Sequence, residues 1–206
     1  YNGETVQVAP YRDSSGRLVA QHIRTKDKRV RWLGDTDDIR LFGQNLWNNT
    51  GKRLVITEGE IDAMTIAEVF NLSWAVVSVP NGAQSAKKYI KQNIEFIEGY
   101  KEVVFAFDND EDGREAVEEC APLIKTGKAK VANFTPYNDA NEMAQDGKKS
   151  KISNLIFEAK EFRPDGIVSF SDMSFEELMS DDDIEKGYEL QFPELDKKMK
   201  SLRKGE

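Results

Sequence analysis

Strand and helix signals alternate over residues 52–134, which predicts an α/β fold: a parallel sheet with helices on both faces. Two apolar runs carry the prediction, Leu54-Val55-Ile56-Thr57 and Val103-Val104-Phe105-Ala106-Phe107, both β-branched or aromatic and both ended by acids. Continuous runs of that length read as strands buried on both faces, and parallel neighbours need right-handed helical crossovers. Two flanking regions read differently. A small antiparallel lobe is expected before residue 52, and a helical or extended linker after Pro164.

In the lobe, Thr5–Arg12, Arg17–Arg24 and Arg29–Leu33 read as strands, with turns at Asp13-Ser14-Ser15-Gly16 and near Lys26-Asp27-Lys28. A helix ending at Trp47 leads to the turn Asn48-Asn49-Thr50-Gly51. The main domain then runs strand Leu54–Thr57, helix Glu60–Phe70, strand Trp74–Val79, helix Gln84–Phe96, strand Glu102–Asp108, helix Gly113–Ile124 and strand Lys130–Phe134. Ile61, Met64 and Ala67 share one helical face, as do Ala116, Val117, Cys120 and Leu123. Past Pro164 come a capping box, Ser174-Phe175-Glu176-Glu177, and an acidic break, Ser180-Asp181-Asp182-Asp183. The expected division is therefore 1–51, 52–164 and 165–206. The absent initiator Met and the ending Leu202-Arg203-Lys204-Gly205-Glu206 read as the ends of an excised fragment.

With 206 residues, 39% of them hydrophobic, the chain has material for one core of ordinary size. No apolar stretch reaches the length of a membrane span, so an intracellular protein is expected. Cys120 is the only cysteine and His22 the only histidine, which excludes an internal disulfide and a Cys/His zinc module. Cys120 reads as a small core residue. The formal charge is −8, yet residues 1–57 hold ten Lys or Arg against six acids, and residues from 165 hold twelve acids against six bases. Much of the early excess lies in Arg24-Thr25-Lys26-Asp27-Lys28-Arg29-Val30-Arg31, readable either as a phosphate-binding ridge or as a solvated hairpin end.

Glu58 closes the first buried run, and Asp108 and Asp110 close the second. Parallel sheets gather chemistry at their carboxyl ends. If these strands are neighbours, the acids crowd, and two carboxylates about 4 Å apart repel by roughly 4 kcal/mol at an effective dielectric of 20. Hard oxygen donors without His or Cys suit Mg²⁺ or Mn²⁺, so metal-assisted phosphate chemistry is the first expectation. The stretch Asp108–Glu119 also satisfies EF-hand spacing. A strand-like run precedes it, however, and Glu115 fills a position that is normally apolar, so the calcium reading is set aside.

Glu58-Gly59-Glu60-Ile61-Asp62-Ala63 followed by Asp108-x-Asp110-x-x-Gly113 resembles the Toprim signature of bacterial-type primases, topoisomerases and some nucleases. The resemblance implies that Glu58 serves as general base or acid while Asp108 and Asp110 hold Mg²⁺. Asp62 backs up the metal site or favours the helix N-terminus. Asp139, in Tyr137-Asn138-Asp139-Ala140-Asn141-Glu142, is another outer carboxylate or a helix cap.

Further matches narrow the resemblance to the fused primase-helicases of the short-tailed T-odd (T-seven type) phages and their mitochondrial Twinkle-like relatives. They are the strip Arg24-Thr25-Lys26-Asp27-Lys28, Leu41-Phe42-Gly43, Leu46-Trp47, Val77-Ser78-Val79-Pro80-Asn81-Gly82-Ala83, Phe107-Asp108-Asn109-Asp110 and Pro164-Asp165-Gly166. The zinc module of that family is absent, and His22 stands where these primases can carry a lysine. The resemblance implies metal-dependent synthesis of short RNA primers from ribonucleoside triphosphates on a single-stranded DNA template. It also implies a helicase domain, hexameric in the longer chain, and residence in the phage-infected bacterial cytoplasm or, alternatively, the mitochondrial matrix. Arg24, Lys26, Lys28 and Arg31 are the candidate triphosphate or template contacts. Asn81, Gly82 and Lys87 are a second set, in which free N–H groups at a helix start hold a phosphate or merely form a strand-to-helix turn. A Toprim nuclease and a non-catalytic module tethering a helicase to DNA are the rival readings.

Overall fold

A computed structural model of the chain describes residues 3, 5–27 and 29–163. Lys28, Pro164 and residues 165–206, over which the linker, capping box and acidic break are expected, lie outside the described residues. The antiparallel lobe comprises β1 (Gln7–Arg12), β2 (Leu18–Arg24) and β3 (Val30–Gly34) in the order β1-β2-β3. Its first turn is held by Asp13, whose Oδ1 accepts from the backbone N–H of Ser15 at 2.8 Å and of Arg17 at 3.0 Å. Asp and Ser favour turns for this reason.

The main sheet contains β4 (Gly51–Thr57), β5 (Ala75–Ser78), β6 (Tyr100–Ala106), β7 (Ala129–Val131) and β8 (Lys160–Glu161), ordered β5-β4-β6-β7-β8. All pairings are parallel except that of β8, an antiparallel edge the sequence did not signal because two residues show no periodicity. Leu54 lies opposite Val103 and Ile56 opposite Phe105, and alternate residues of each strand face opposite sides. One side packs Leu54, Ile56, Val77 and Phe105 beneath α2 (Ala83–Gln92) and α4 (Glu111–Cys120). The other packs Val55, Val76 and Val104 beneath α1 (Glu60–Val69), α5 (Ala140–Gln145) and α6 (Lys149–Phe157), with α3 (Ile94–Glu98) lying between α2 and β6 in sequence. Burial on both faces is what the unbroken apolar runs require. Tyr11 and Ala20 of the lobe join the first core.

Several local expectations are corrected. The helix expected over Gln84–Phe96 is two helices, because buried Asn93 donates from Nδ2 to Tyr89 O at 2.9 Å and ends α2. The helix expected to reach Ile124 stops at Cys120 and continues as a 3₁₀ turn, Ala121–Leu123, where Pro122 cannot donate to a preceding carbonyl. The helix expected before Trp47 is only a 3₁₀ turn, Gln44–Leu46. On α1 the buried stripe is Asp62, Ala63 and Ile66, and Met64 is half exposed. Cys120 is fully buried, and burial pushes its thiol up to about 12. Among the described residues, no helix is long and apolar enough to cross a membrane.

A candidate metal centre at the carboxyl edge of the sheet

β4 and β6 are hydrogen-bonded neighbours, so the residues following them emerge side by side. The structure brings together Asp62 of α1, Asp108 after β6 and Asp139 before α5, with one carboxylate oxygen of each within 4.8 Å of the others. Three elements thus converge on a volume that a divalent cation fits, with hard oxygen donors only. Asp62 is fixed by the N–H of Asn141, which donates to its Oδ1 at 2.9 Å. Asp108 is held by Asn138, whose Nδ2 donates to Oδ2 at 3.1 Å. Asp139 is also the N-cap of α5, accepting from Glu142 N at 2.6 Å, so its two readings are compatible.

Electrostatics marks the same point. Burial first, then the charges of Glu58, Asp62, Asp139 and Asp110, raises Asp108 to about 7. Burial, then Asp139, raises Asp62 to about 6 against the opposing hydrogen bond from Asn141. Both carboxylates resist ionisation unless positive charge is supplied.

Glu58 and Asp110 stand beside this cluster. Burial raises the Glu58 carboxyl, the backbone amides of Ala83 and Asp108 oppose that, and Oε2 is buried with no hydrogen-bond partner. Asp110 is exposed and caps α4, accepting from Gly113 N at 2.9 Å. A Cβ at Gly113 would fall 2.2 Å from Asp108 O, so glycine is what lets α4 start against the acidic strand end. This helix begins at Glu111 and is entered from β6 through residues 107–110, and Glu119 pairs with Lys87 at 3.6 Å. That arrangement is not an EF-hand loop, which must be entered from a helix.

The lobe meets the site through Glu60, a residue whose role the sequence does not signal. His22 Nδ1 lies 2.7 Å from Glu60 Oε1, and Tyr11 donates to the same oxygen at 2.8 Å. His22 stacks on Trp32 with centroids 4.6 Å apart, and Trp32 Nε1 donates to Asn81 Oδ1 at 2.7 Å. Asn81, at φ 63°, is therefore a strut between the lobes. Neighbouring Gly82, at φ 71°, would place a Cβ 3.3 Å from Glu58 Oε1. Lys87 turns towards the far end of α4 rather than the carboxylates. Arg24 and Lys26 are exposed at the end of β2 and in the hairpin turn, and Arg31 is exposed on β3. Only the isolated aromatic residues of the lobe strands hinted at the Tyr11, His22 and Trp32 contacts, since their partners lie 38 to 49 residues away.

Comparison with known proteins agrees with this architecture. Residues 55–144 match the Toprim-like family, and residues 1–34 match the bacteriophage T7 DNA helicase/primase N-terminal a+b fold. The DNA helicase/primase of Enterobacteria phage T3 is 41% identical over 163 residues, 79% of this chain, which itself spans only 28% of that relative's length. The crystal structure of the primase fragment of the bacteriophage T7 primase-helicase superposes with a TM-score of 0.71 at 41% identity, covering 76% of this chain and 64% of that one. A structure of the T7 lagging-strand DNA polymerase interacting with primase domains bound to an RNA/DNA hybrid and dTTP gives a TM-score of 0.73 at 40% identity, over 79% of this chain and 82% of the matched chain. The chain belongs to the T7-type phage DNA helicase/primase family.

Proposed function

We propose that this chain is the catalytic part of a DNA primase, joining ribonucleotides into short RNA primers on single-stranded DNA. The observation that carries the reading is the convergence of Asp62, Asp108 and Asp139 within 4.8 Å at the carboxyl edge of the sheet. Those three residues, with Asp110 and Glu58 alongside, would hold Mg²⁺ or Mn²⁺. Bound there, the cation supplies charge neutralisation and orientation for a triphosphate. Glu58, with a buried Oε2 free of hydrogen bonds, is the group to take the proton of an attacking 3′-hydroxyl. Arg24, Lys26, Lys28 and Arg31 of the basic strip would meet triphosphate or template phosphates, and the N–H groups that start α2 after Asn81-Gly82 would add to this. The division proposed is 1–51 as basic lobe, 52–164 as Toprim domain and 165–206 as linker to a helicase domain, hexameric in the longer protein. The relatives being phage proteins favours the infected bacterial cytoplasm over the mitochondrial matrix.

The test is incubation with single-stranded DNA, Mg²⁺ and labelled ribonucleoside triphosphates. Short labelled RNA is expected, and none from Asp108→Asn. Degradation of the template by the chain would favour a nuclease, and template binding without any product would favour a tether.

A further inference from the structure

A second feature lies apart from the carboxylates. A cleft of about 680 Å³ opens between the lobe turn Asp13–Gly16, the segment Arg40–Asn49 and the α2–α3 junction. Asn49 precedes β4 and the α2–α3 junction precedes β6, so this wall lies towards the amino edge of the sheet; none of the site carboxylates lines it. Its volume falls in the range of small-molecule sites.

Three cations converge on it: Arg12, Arg40 and Lys91. Among the described residues, no carboxylate forms an ion pair with any of them. Arg12 donates only to a neutral carbonyl, Gly16 O, at 2.9 Å. Arg40 Nη1 donates to Asn93 Oδ1 at 3.2 Å, and its Nε is buried with no acceptor at all. Of the two acids that line the cleft, Asp13 is already committed to Arg17, at 2.9 Å, leaving Glu95 as the other. Arg12, Arg40 and Lys91 thus line the cleft without a carboxylate partner, and a bound anion would take up that positive charge. Guanidinium forks and an ammonium group suit phosphate oxygens, and the amide side chains of Asn45 and Gln92 add uncharged partners.

We propose that this cleft binds a phosphate-bearing ligand, either a free triphosphate or the backbone of a nucleic-acid strand, at a site separate from the metal centre. The proposal does not depend on primer synthesis, because it is read by direct binding. Titration calorimetry in EDTA would use the 206-residue chain with inorganic tripolyphosphate and, separately, with a short thymidine oligonucleotide. Lys91→Glu and Arg40→Gln should each weaken binding about ten-fold and lower the salt slope by about one. Lys91 is exposed, so its replacement tests the cleft even if Arg40→Gln disturbs folding. Tripolyphosphate binding that responds to the variants identifies a free triphosphate, and a response with the oligonucleotide alone identifies a strand. Wild-type affinity in Lys91→Glu for both probes, or no binding of either probe by the wild-type chain, overturns the proposal.

Discussion

Replacing Asp108 by Asn should make the metal-free protein more stable while removing its response to Mg²⁺. The reason is the crowding at the sheet edge. Carboxylate oxygens within 4.8 Å of one another repel, when both are charged, by roughly 3 kcal/mol at an effective dielectric of 20 and by about 1 kcal/mol in bulk water. Asp108 is only partly buried, so solvent screening places the gain near the lower figure, about 1 kcal/mol. The amide keeps an oxygen for Asn138 Nδ2, so the local hydrogen bond survives. For a chain of this length that gain is about 2–4 °C in Tm. It should grow with pH. The folded-state carboxyl is raised from 3.8 to about 7, so the folded protein holds a proton that the unfolded chain has released. Stability of the wild-type chain in EDTA therefore falls as pH rises from about 4 through about 7, and the fall should be shallower in Asp108→Asn. Mg²⁺ should reverse the order, adding about 2.7 kcal/mol to the wild type at a hundred times its dissociation constant and little to the variant. Thermal melts in EDTA and in Mg²⁺, across that pH range, decide the matter. A variant less stable than wild type in EDTA at pH 8, or equal Mg²⁺ stabilisation of both proteins, would refute the reasoning.

Gly113→Ala, a change that stabilises ordinary helix interiors, should here cost about 1–3 kcal/mol in urea unfolding because its Cβ meets Asp108 O; a stabilised variant would show that α4 can shift. Burial pushes the Glu60 carboxyl up, but the hydrogen bonds from His22 and Tyr11 outweigh it and hold it below the ordinary value. Its contribution is thus present above the ordinary carboxylate range and lost as pH falls below about 4, and Glu60→Gln should flatten that acid limb and cost about 1–3 kcal/mol at pH 7. Unchanged melting of that variant at both pH values would show that the bonds of Glu60 to His22 and Tyr11 do not stabilise the join to the lobe. Lys26→Ala should leave the melting temperature within error, since exposed charges contribute little, while lowering the salt slope of single-stranded DNA binding by about one; an unaltered slope would reduce the strip to a solvated turn.

The sequence by itself determined the layered core, because residues such as Leu54, Ile56, Val103 and Phe105 leave no polar face for water and so must lie in a sheet covered on both sides. It also located Glu58, Asp108 and Asp110 just past the ends of β4 and β6, where side chains gather at one edge of a parallel sheet. Proline and asparagine limits to α4 and α2 were present in the letters too, at Pro122 and Asn93, but a helical period overrides such local signals until side-chain hydrogen bonds are seen. Only the tertiary structure decided which carboxylates approach one another. Asp62 and Asp139 are 77 residues apart in numbering, yet the packing of α1 against α5 places both beside Asp108, while Asp110 is drawn off to cap α4. The same holds for the join between the lobes: Tyr11, His22 and Trp32 belong to strands whose periodicity says nothing of a partner on α1 or at Asn81. Periodicity fixes which face of an element is buried; the element it is buried against follows from chain crossings that no local pattern encodes.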